Sequence, residues 1–291
     1  MDTENMQALE EIGITNWTQP APQVVEALET GKVLFAPRLP FDLSAQERTF
    51  LSPACLDGKS KNVSYRPQND ALGGASPAAD RGALKAMLRR YFESSSALLD
   101  ALCPDYRGKL SPGFTSFRPA EIAGRASSWR KDDTRLHVDA FPSRPLHGLR
   151  IIRVFSNVNP SAPRMWRVGD RFENVAKTFL PKIASPLPGS AWLLRALHVT
   201  RTRRTPYDHL MLGIHDGMKA DQAYQRDCPQ VSLAIPPGVT WACFTDSVSH
   251  AAMSGQFAFE QTFYLPVEAM HDQSRSPLRV LENLTGKRLV H

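Results

Sequence analysis

The spacing of hydrophobic residues predicts that the first third of the chain is mainly helical. The sequence "DRGALKAMLRRYFESSSALLDALC", residues 80–103, repeats its apolar residues every three or four positions, as an amphipathic helix does. Shorter helices are predicted for "NMQALEEIG", "APQVVEALETG" and "LSAQERTFL", and in the last Ser44 and Glu47 have the spacing of a capping box. The sequence "KVLFAPRLPF" predicts a strand, and the Pro, Gly, Ser and Asn residues of positions 52–79 predict a long loop.

From residue 110 onwards the pattern changes to short strands, because apolar and polar residues alternate and Pro or Gly separates the runs. The predicted strands are "FTSFRPAEI", "TRLHVDAF", "LRIIRVFSNVN", "SAWLLRALHV", "QVSLAIP", "VTWACFTD" and "QFAFEQTFYLP". An amphipathic insert near residues 205–227 predicts a helix among them. Short strands at this spacing are typical of a barrel or a sandwich.

The order of these elements predicts the domain organisation, since no repeat and no linker divides the chain. We predict a single domain over residues 1–291, an α+β chain that is mainly β with flanking helices. Residues 1–109 form a helical and loop portion, which supports the core as an N-terminal buttress. Residues 110–270 form the β core with its helical insert.

Composition narrows the cellular context of the protein. The formal charge of +6 favours an anionic partner, and we expect no nucleic acid among its partners. The four scattered cysteines form no CxxC pair, the N-terminus lacks the apolar core of a signal peptide, and no apolar run is long enough to span a membrane. We therefore predict a cytoplasmic protein whose membrane contact, if any, is peripheral. The basic clusters at 164–171 and 201–204 are more typical of solvated surface than of binding sites.

The sequence "TRLHVDAFPSRP", residues 134–145, carries the candidate chemistry. His137 and Asp139 are two positions apart, so on a strand both side chains project from the same side. Two imidazoles and one carboxylate on one face of a metal are typical of non-haem iron(II), with three positions open on the other face. A third ligand is needed from a later strand, and His250, in "FTDSVSHAAMSGQ", is predicted to lie at a turn between two strands.

The other histidines compete for the position of third ligand. They are His147, His198, His209, His215, His271 and His291. For each the ordinary interpretation is a surface or hydrogen-bonded histidine. The order of His250 after the strand series favours it over these residues.

Four stretches of the sequence resemble a known family. They are "SFRPAEIAGRASSWRKDDTRLHVDAFPSRP", "RIIRVFSNVNP", "HDGMKADQAYQ" and "FTDSVSHAAMSGQ", and the similarity covers most of residues 110–270. They are similar to the 3-deoxy-D-manno-octulosonic acid (Kdo) 3-hydroxylases of Gram-negative bacteria, which are iron(II)- and 2-oxoglutarate-dependent dioxygenases. The resemblance implies a double-stranded β-helix (jelly-roll or cupin-like) core.

The resemblance also implies the cofactors and the reaction. His137, Asp139 and His250 would be the iron(II) ligands, and 2-oxoglutarate and O2 the cosubstrates. The substrate would be a Kdo-containing lipid A precursor, whose Kdo becomes D-glycero-D-talo-oct-2-ulosonic acid at C3. Such an enzyme is expected in the cytoplasm, with peripheral contact at the cytoplasmic face of the inner membrane.

The predicted strand after His250 departs from many relatives in the wider superfamily. Those relatives place an arginine there for the distal carboxylate of 2-oxoglutarate, but "QFAFEQTFYLP" contains no Arg or Lys. Another strand must supply the cation, because an unpaired buried carboxylate is costly. We expect Arg153 together with Arg118. Arg150, on the same predicted strand as Arg153 but of opposite parity, is kept in reserve.

The substrate is an anionic sugar on a phosphorylated lipid, so arginines near the HxD motif are candidates for binding it. Arg125, Arg130, Lys131 and Arg144 flank the motif in segments expected to form the rim. The ordinary interpretation of each of these residues is a solvated charge on the protein surface.

Two other functions remain open at this point. A cupin-type metal isomerase or hydrolase would use the same ligands without a keto acid, and the missing late arginine leaves room for it. A non-catalytic sugar-binding β-domain would make the HxD sequence incidental.

Overall fold

Two β-sheets form the body of the computed structural model, which describes residues 8–21, 23–124 and 127–290. The strands are β1 (Leu9–Glu11), β2 (Val33–Ala36), β3 (Val63–Arg66), β4 (Ala71–Gly73), β5 (Ser111–Arg118), β6 (Arg150–Asn157), β7 (Arg164–Arg171), β8 (Val231–Ile235), β9 (Thr240–Phe244), β10 (Val248–Ser254) and β11 (Ala258–Leu265). The large sheet has the order β1-β2-β9-β6-β11-β5-β3-β4 and the small sheet the order β10-β7-β8.

Helices cover the outer side of the large sheet. They are α1 (Val24–Glu29), α2 (Ala45–Arg48), α3 (Arg81–Leu102), α4 (Phe172–Phe179), α5 (Ser190–Ala196), α6 (Pro206–Ala220), α7 (Gln222–Asp227) and α8 (Pro277–Thr285). The longest, α3, begins where Asp80 accepts a hydrogen bond from the backbone N–H of Ala83 at 3.0 Å. It buries one stripe that includes Leu84, Tyr91 and Leu98.

The space between the two sheets is apolar at one end and polar at the other. Phe155 and Trp241 of the large sheet pack there against Trp166 and Val168 of the small sheet. The ring of Trp166 also stacks on His250, with centroids 5.3 Å apart. The aromatic cluster therefore fills the apolar end of this space and supports the polar end, where His137 and Asp139 lie.

Most of the predicted elements agree with the structure, including the long helix, the capping box at Ser44 and the helical insert. The stretch at 190–199 was wrongly predicted as a strand. It forms α5, because Ala, Leu and Arg are strong helix formers and no β-branched residue occurs before Val199. Leu9–Glu11, predicted as helix, is a strand that pairs in parallel with β2, and the predicted loop at 52–79 contributes β3 and β4.

Two further differences concern the site. The predicted strand at 134–141 is an extended segment joined to the small sheet by a single bridge, from His137 to His250. His250 itself lies within β10 and not at a turn. The basic cluster at 164–171, interpreted as solvated surface, is the central strand of the small sheet, and its alternate residues Arg164, Trp166 and Val168 are buried.

Arg150 lies on the opposite face of β6 from Arg153 and is completely buried. Its guanidinium donates to both carboxylate oxygens of Asp246, at 2.7 and 3.2 Å, and lies 4.0 Å from the centroid of the Phe244 ring. This environment is the core outside the barrel. The structure therefore pairs Arg150 with Asp246 in the core and does not bring it, the reserve candidate for the cosubstrate, to the side of β6 on which Arg153 lies.

Replacing Arg150 by alanine is expected to lower the free energy of unfolding by about 3–5 kcal/mol, because the buried Asp246 carboxylate loses its counter-ion. Urea denaturation followed by circular dichroism measures the effect. The matched control is Arg226→Ala, which removes an exposed pair with Asp227 and should leave the unfolding midpoint almost unchanged. Similar midpoints for the two variants would contradict the assignment.

Candidate metal centre

His137 and Asp139 are held side by side because the segment that carries them alternates. Leu136 and Val138 point the other way and are fully buried, so they fix the direction of the two polar side chains. The Nε2 atom of His137 lies 3.8 Å from Oδ1 of Asp139. The local pattern therefore places two candidate ligands on one side of the segment.

His250 reaches the same place from the small sheet. The backbone N–H groups of His137 and His250 each donate to the carbonyl of the other, at 3.0 and 2.9 Å. One candidate ligand atom from each of His137, Asp139 and His250 lies within 4.8 Å of the others, and all three residues are buried. The structure thus brings together the three residues that the sequence analysis proposed.

The hydrogen bonds of the two imidazoles fix which ring nitrogen is available. Nδ1 of His137 donates to the carbonyl of Arg135 and Nδ1 of His250 donates to the carbonyl of Val248, each at 2.8 Å. Because a carbonyl oxygen only accepts, each Nδ1 carries the proton and each Nε2 presents a lone pair. Backbone partners on the distal nitrogen are the usual way in which proteins orient histidines that bind metals.

The electrostatics of the cluster also suit a cation. Burial lowers the pKa of His137 well below its ordinary value, and burial lowers the pKa of His250 as well, so both rings are neutral near pH 7. Burial, the largest single influence, raises the pKa of Asp139, but the charge of Arg153 together with the neighbouring His250, Thr245 and His215 makes the net direction downward. Two neutral imidazoles and one carboxylate are the protonation states that divalent metals require.

One carboxylate oxygen of the cluster is short of hydrogen bonds, as expected of an atom that binds a metal ion. Oδ2 of Asp139 accepts no well-aligned hydrogen bond from any residue that the structure describes, although Nη2 of Arg153 lies 3.1 Å from it. Buried acceptors without a partner are rare in proteins. Together with the two imidazole lone pairs, this oxygen gives a donor set that fits iron(II).

A group of charged residues forms a wall beside these candidate ligands. Glu260 of β11 accepts hydrogen bonds from Arg118 at 2.7 and 3.1 Å, and its second oxygen lies 3.3 Å from Nη1 of Arg153. Arg153 also pairs with Asp139, so its two ends join the candidate ligand to Glu260. The structure therefore brings Arg118 and Arg153 to the same wall, as the sequence analysis expected.

Arg164 of β7 is a further cation on this wall, and the sequence analysis did not propose it. It is buried, and its Nη1 donates to the carbonyl of Gly255 at 3.2 Å, but its Nε has no hydrogen-bond partner among the described residues. Burial, and after it the charge of Arg118, lower the pKa of Arg164 to about 10. The group remains charged at pH 7 and lacks an ion-pair partner in the described part of the chain.

The charges around the cavity favour a dianionic ligand. Within the described residues, three guanidinium groups, on Arg118, Arg153 and Arg164, balance three carboxylates, on Asp139, Glu260 and Asp133, the last of which lies 4.0 Å from Arg118. A divalent metal would add two further positive charges. Buried charge of one sign needs compensation, and a dicarboxylate such as 2-oxoglutarate supplies it.

The four residues expected at the rim lie in different surroundings. Arg144 is half-buried, stacks over the ring of Phe114 and donates to the hydroxyl of Tyr264 at 3.1 Å. Arg130 is exposed and pairs with Asp216 at 3.1 Å, while Lys131 is exposed beside it. Arg125 lies outside the described residues.

Helix α6 adds two residues next to the candidate metal ligands. The ring of His215 meets the ring of His137 edge-on, with centroids 5.4 Å apart, and its Nδ1 bonds Asp216 at 2.9 Å. The buried Nζ of Lys219 donates to the carbonyl of Arg130 at 3.1 Å. The amphipathic pattern predicted the helix but gave no sign that its His215 approaches the site.

The other competing histidines have ordinary roles or lie elsewhere. His147, His209 and His271 each have a hydrogen-bond partner away from the cluster, and His198 is exposed. His291 lies outside the described residues.

Comparisons with known proteins identify the family. The family model described as 3-deoxy-D-manno-oct-2-ulosonic acid (Kdo) hydroxylase matches residues 12–288. A crystal structure of the Kdo hydroxylase KdoO, a non-haem Fe(II) α-ketoglutarate-dependent dioxygenase, in complex with α-ketoglutarate and Fe(III), is 44% identical, with 97% of each chain covered and a TM-score of 0.93. The same enzyme in complex with cobalt(II) is 45% identical over the same shares, with a TM-score of 0.94.

The match extends over nearly the whole chain, although none of the curated proteins compared with it matched. The solved KdoO structures also include a complex with succinate and Fe(III), at 44% identity. The predicted family and the predicted jelly-roll type of fold are thereby confirmed. The chain belongs to the family of Kdo hydroxylases, which are non-haem iron(II)- and 2-oxoglutarate-dependent dioxygenases.

Proposed function

We propose that this chain hydroxylates C3 of Kdo on a lipid A precursor at the cytoplasmic face of the inner membrane. The reaction consumes O2 and 2-oxoglutarate (α-ketoglutarate) and releases succinate and carbon dioxide, and its product is D-glycero-D-talo-oct-2-ulosonic acid. Family membership gives the enzyme class, the iron, the cosubstrate and Kdo as the sugar. The lipid carrier, the position of the new hydroxyl and the cellular location are parts of the proposal.

The observation that carries the proposal is the cluster of His137, Asp139 and His250. One ligand atom from each of the three residues lies within 4.8 Å of the others, and these residues would hold iron(II). Iron(II) with 2-oxoglutarate and O2 supplies an oxidant able to hydroxylate an unactivated C–H bond. The backbone partners of both imidazoles keep the ligands in place before any metal arrives.

The cationic wall would bind and orient the cosubstrate. Arg164 has no ion-pair partner in the described chain and therefore is the best candidate for the distal carboxylate of 2-oxoglutarate. Arg118 and Arg153 are committed to Glu260, which fixes their guanidinium planes at the edge of the same cavity. Arg164 thus supplies the cation that β11 lacks, and the isomerase or hydrolase alternative loses the feature that favoured it.

The sugar would bind on the side of the cavity where Arg144 lies. Arg144 and Arg66 stack over the same Phe114 ring, at 4.8 and 5.3 Å from its centroid, and Arg144 also contacts Tyr264. Two guanidinium groups held on one aromatic ring suit a carboxylated sugar, because arginine pairs with carboxylates. Arg130 and Lys131 are exposed and are better placed to meet lipid phosphates.

The decisive experiment combines binding with turnover. Anaerobic addition of iron(II) and 2-oxoglutarate should produce a visible charge-transfer band, and incubation with a Kdo-bearing lipid A precursor in air should add one oxygen atom to Kdo. With ¹⁸O2 the new oxygen should be labelled, and mass spectrometry should find one succinate released for each hydroxylated Kdo. Consumption of 2-oxoglutarate with an unmodified Kdo mass would show that the true substrate is another molecule.

A further inference from the structure

The segment that joins α4 to α6, residues 180–205, exposes an unusual amount of apolar surface. Its large apolar side chains that are 51–78% exposed are Leu187, Trp192, Leu193, Leu197 and Val199. Among the described residues, Leu284 is the one other large hydrophobic residue of the exposed class. Leu193 and Leu197, the C-cap of α5, are four positions apart and therefore neighbours on one side of the helix, next to Trp192 in the sequence.

The same part of the chain contains its excess of positive charge. Between residues 174 and 207 there are six Lys and Arg residues and no Asp or Glu. The whole chain has 35 Lys and Arg against 29 Asp and Glu, for a formal charge of +6, so the remainder of the sequence is balanced. Arg195, Arg201 and Arg203 are exposed and have no ion-pair partner among the described residues.

Both ends of the segment are fixed to the body of the protein near the active site. At one end His209 of α6 donates to the carbonyl of Ala184 at 2.8 Å. At the other the backbone N–H of Arg201 donates to the carbonyl of Ser143 at 3.0 Å. Ser143 belongs to the rim loop, residues 140–147, which follows Asp139 directly and carries Arg144. The exposed patch is therefore held next to the loop that leads from the metal ligands.

We propose that the segment from 180 to 205 is a membrane-docking surface, in which Trp192 and the neighbouring apolar side chains insert between anionic phospholipids. Arg195, Arg201 and Arg203 bind the lipid phosphates at the same time. A basic amphipathic surface with an exposed tryptophan is suited to the boundary between lipid headgroups and acyl chains. The proposal rests on the proposed function only for the membrane-borne substrate, which docking would place beside the rim loop.

The charge of the segment favours a bilayer over a second copy of the chain. A two-fold interface brings the same surface of both copies together, so the five basic residues of the segment on one copy would face the same five on the other. An anionic bilayer instead compensates them, and it attracts each basic residue near its surface.

The test is sedimentation of the full-length protein with vesicles that contain no Kdo lipid, made of phosphatidylcholine alone or with phosphatidylglycerol. The protein should bind the anionic vesicles, and salt should weaken this binding. Trp192 fluorescence should shift to the blue on binding, and Trp192→Phe should lose most of that shift. The double variants Leu193→Ser/Leu197→Ser and Arg201→Glu/Arg203→Glu should each bind the anionic vesicles at least about tenfold more weakly than the wild type does.

Matched controls use equivalent changes elsewhere on the surface. Leu284→Ser alters the exposed hydrophobic residue outside the segment, and Arg107→Glu/Lys109→Glu changes the net charge equally; both should bind as the wild type does. Equal binding by the segment variants, or no binding by the wild type, would overturn the proposal. Self-association lost in the leucine variant, without vesicle binding by the wild type, would instead identify a second copy as the occupant. The anaerobic charge-transfer band needs no lipid, so failure of docking and failure of the proposed function are distinguished.

Discussion

His250→Ala is expected to abolish hydroxylation and the iron(II)–2-oxoglutarate absorption band, while the far-ultraviolet circular dichroism stays that of the wild type. The imidazole would supply one of three protein ligands, and two ligands leave the metal weakly held. The fold should survive, because the backbone bridge between residues 137 and 250 uses main-chain atoms only. His137→Ala and Asp139→Ala should have the same effect.

The control for these variants is His271→Ala, which removes a surface histidine bonded to Asp105 and should keep full activity. Iron content after reconstitution separates loss of metal from loss of chemistry. Full activity in His250→Ala would return the search for the third ligand to the histidines of the other segments.

Arg164→Ala is expected to raise the KM for 2-oxoglutarate by about 100-fold or more, because the distal carboxylate would lose its ion-pair partner in a buried site. The KM for the sugar substrate should change much less, because Arg164 and the proposed sugar-binding Arg144 lie on different strands and loops. Titration of the charge-transfer band measures the same loss without turnover. Arg153→Ala should also weaken binding, and in addition it should disturb Asp139, to which Arg153 is paired.

Arg167 gives the matched control, since it lies on the same strand as Arg164 with opposite parity and donates to the carbonyl of Thr134. Arg167→Ala should leave the affinity for 2-oxoglutarate almost unchanged. If Arg118→Ala raises the KM and Arg164→Ala does not, the distal carboxylate binds at the Glu260 side of the cavity.

The sequence predicted the three candidate metal ligands from the pattern of neighbouring residues and from their order in the chain. His137 and Asp139 follow from a period of two between buried Leu136 and Val138, and His250 follows from its order in the chain. The enzyme class, the iron and 2-oxoglutarate came from the family resemblance, and the comparisons confirmed them.

Arg164 shows where sequence reasoning failed. In "RMWRVGDR" the charges suggested solvated surface, but the alternation of Arg164, Trp166 and Val168 was a strand signal of the same kind as His-Val-Asp. Which face of that strand is inside depends on its pairing with β8 and β10, and such long-range register is not visible in a single sequence. The same holds for Glu260, whose partners Arg118 and Arg153 come from the two strands beside it.

The pair of backbone hydrogen bonds between His137 and His250 couples metal binding to the folding of the barrel. Two of the proposed ligands are hydrogen-bonded neighbours only when the HxD segment is joined to the small sheet. A cation that binds this arrangement and not the open chain stabilises it by mass action, so occupancy and closure form one linked equilibrium. The rise in melting temperature on adding metal therefore reports whether the three candidate ligands are in place, even in variants that have no measurable hydroxylase activity.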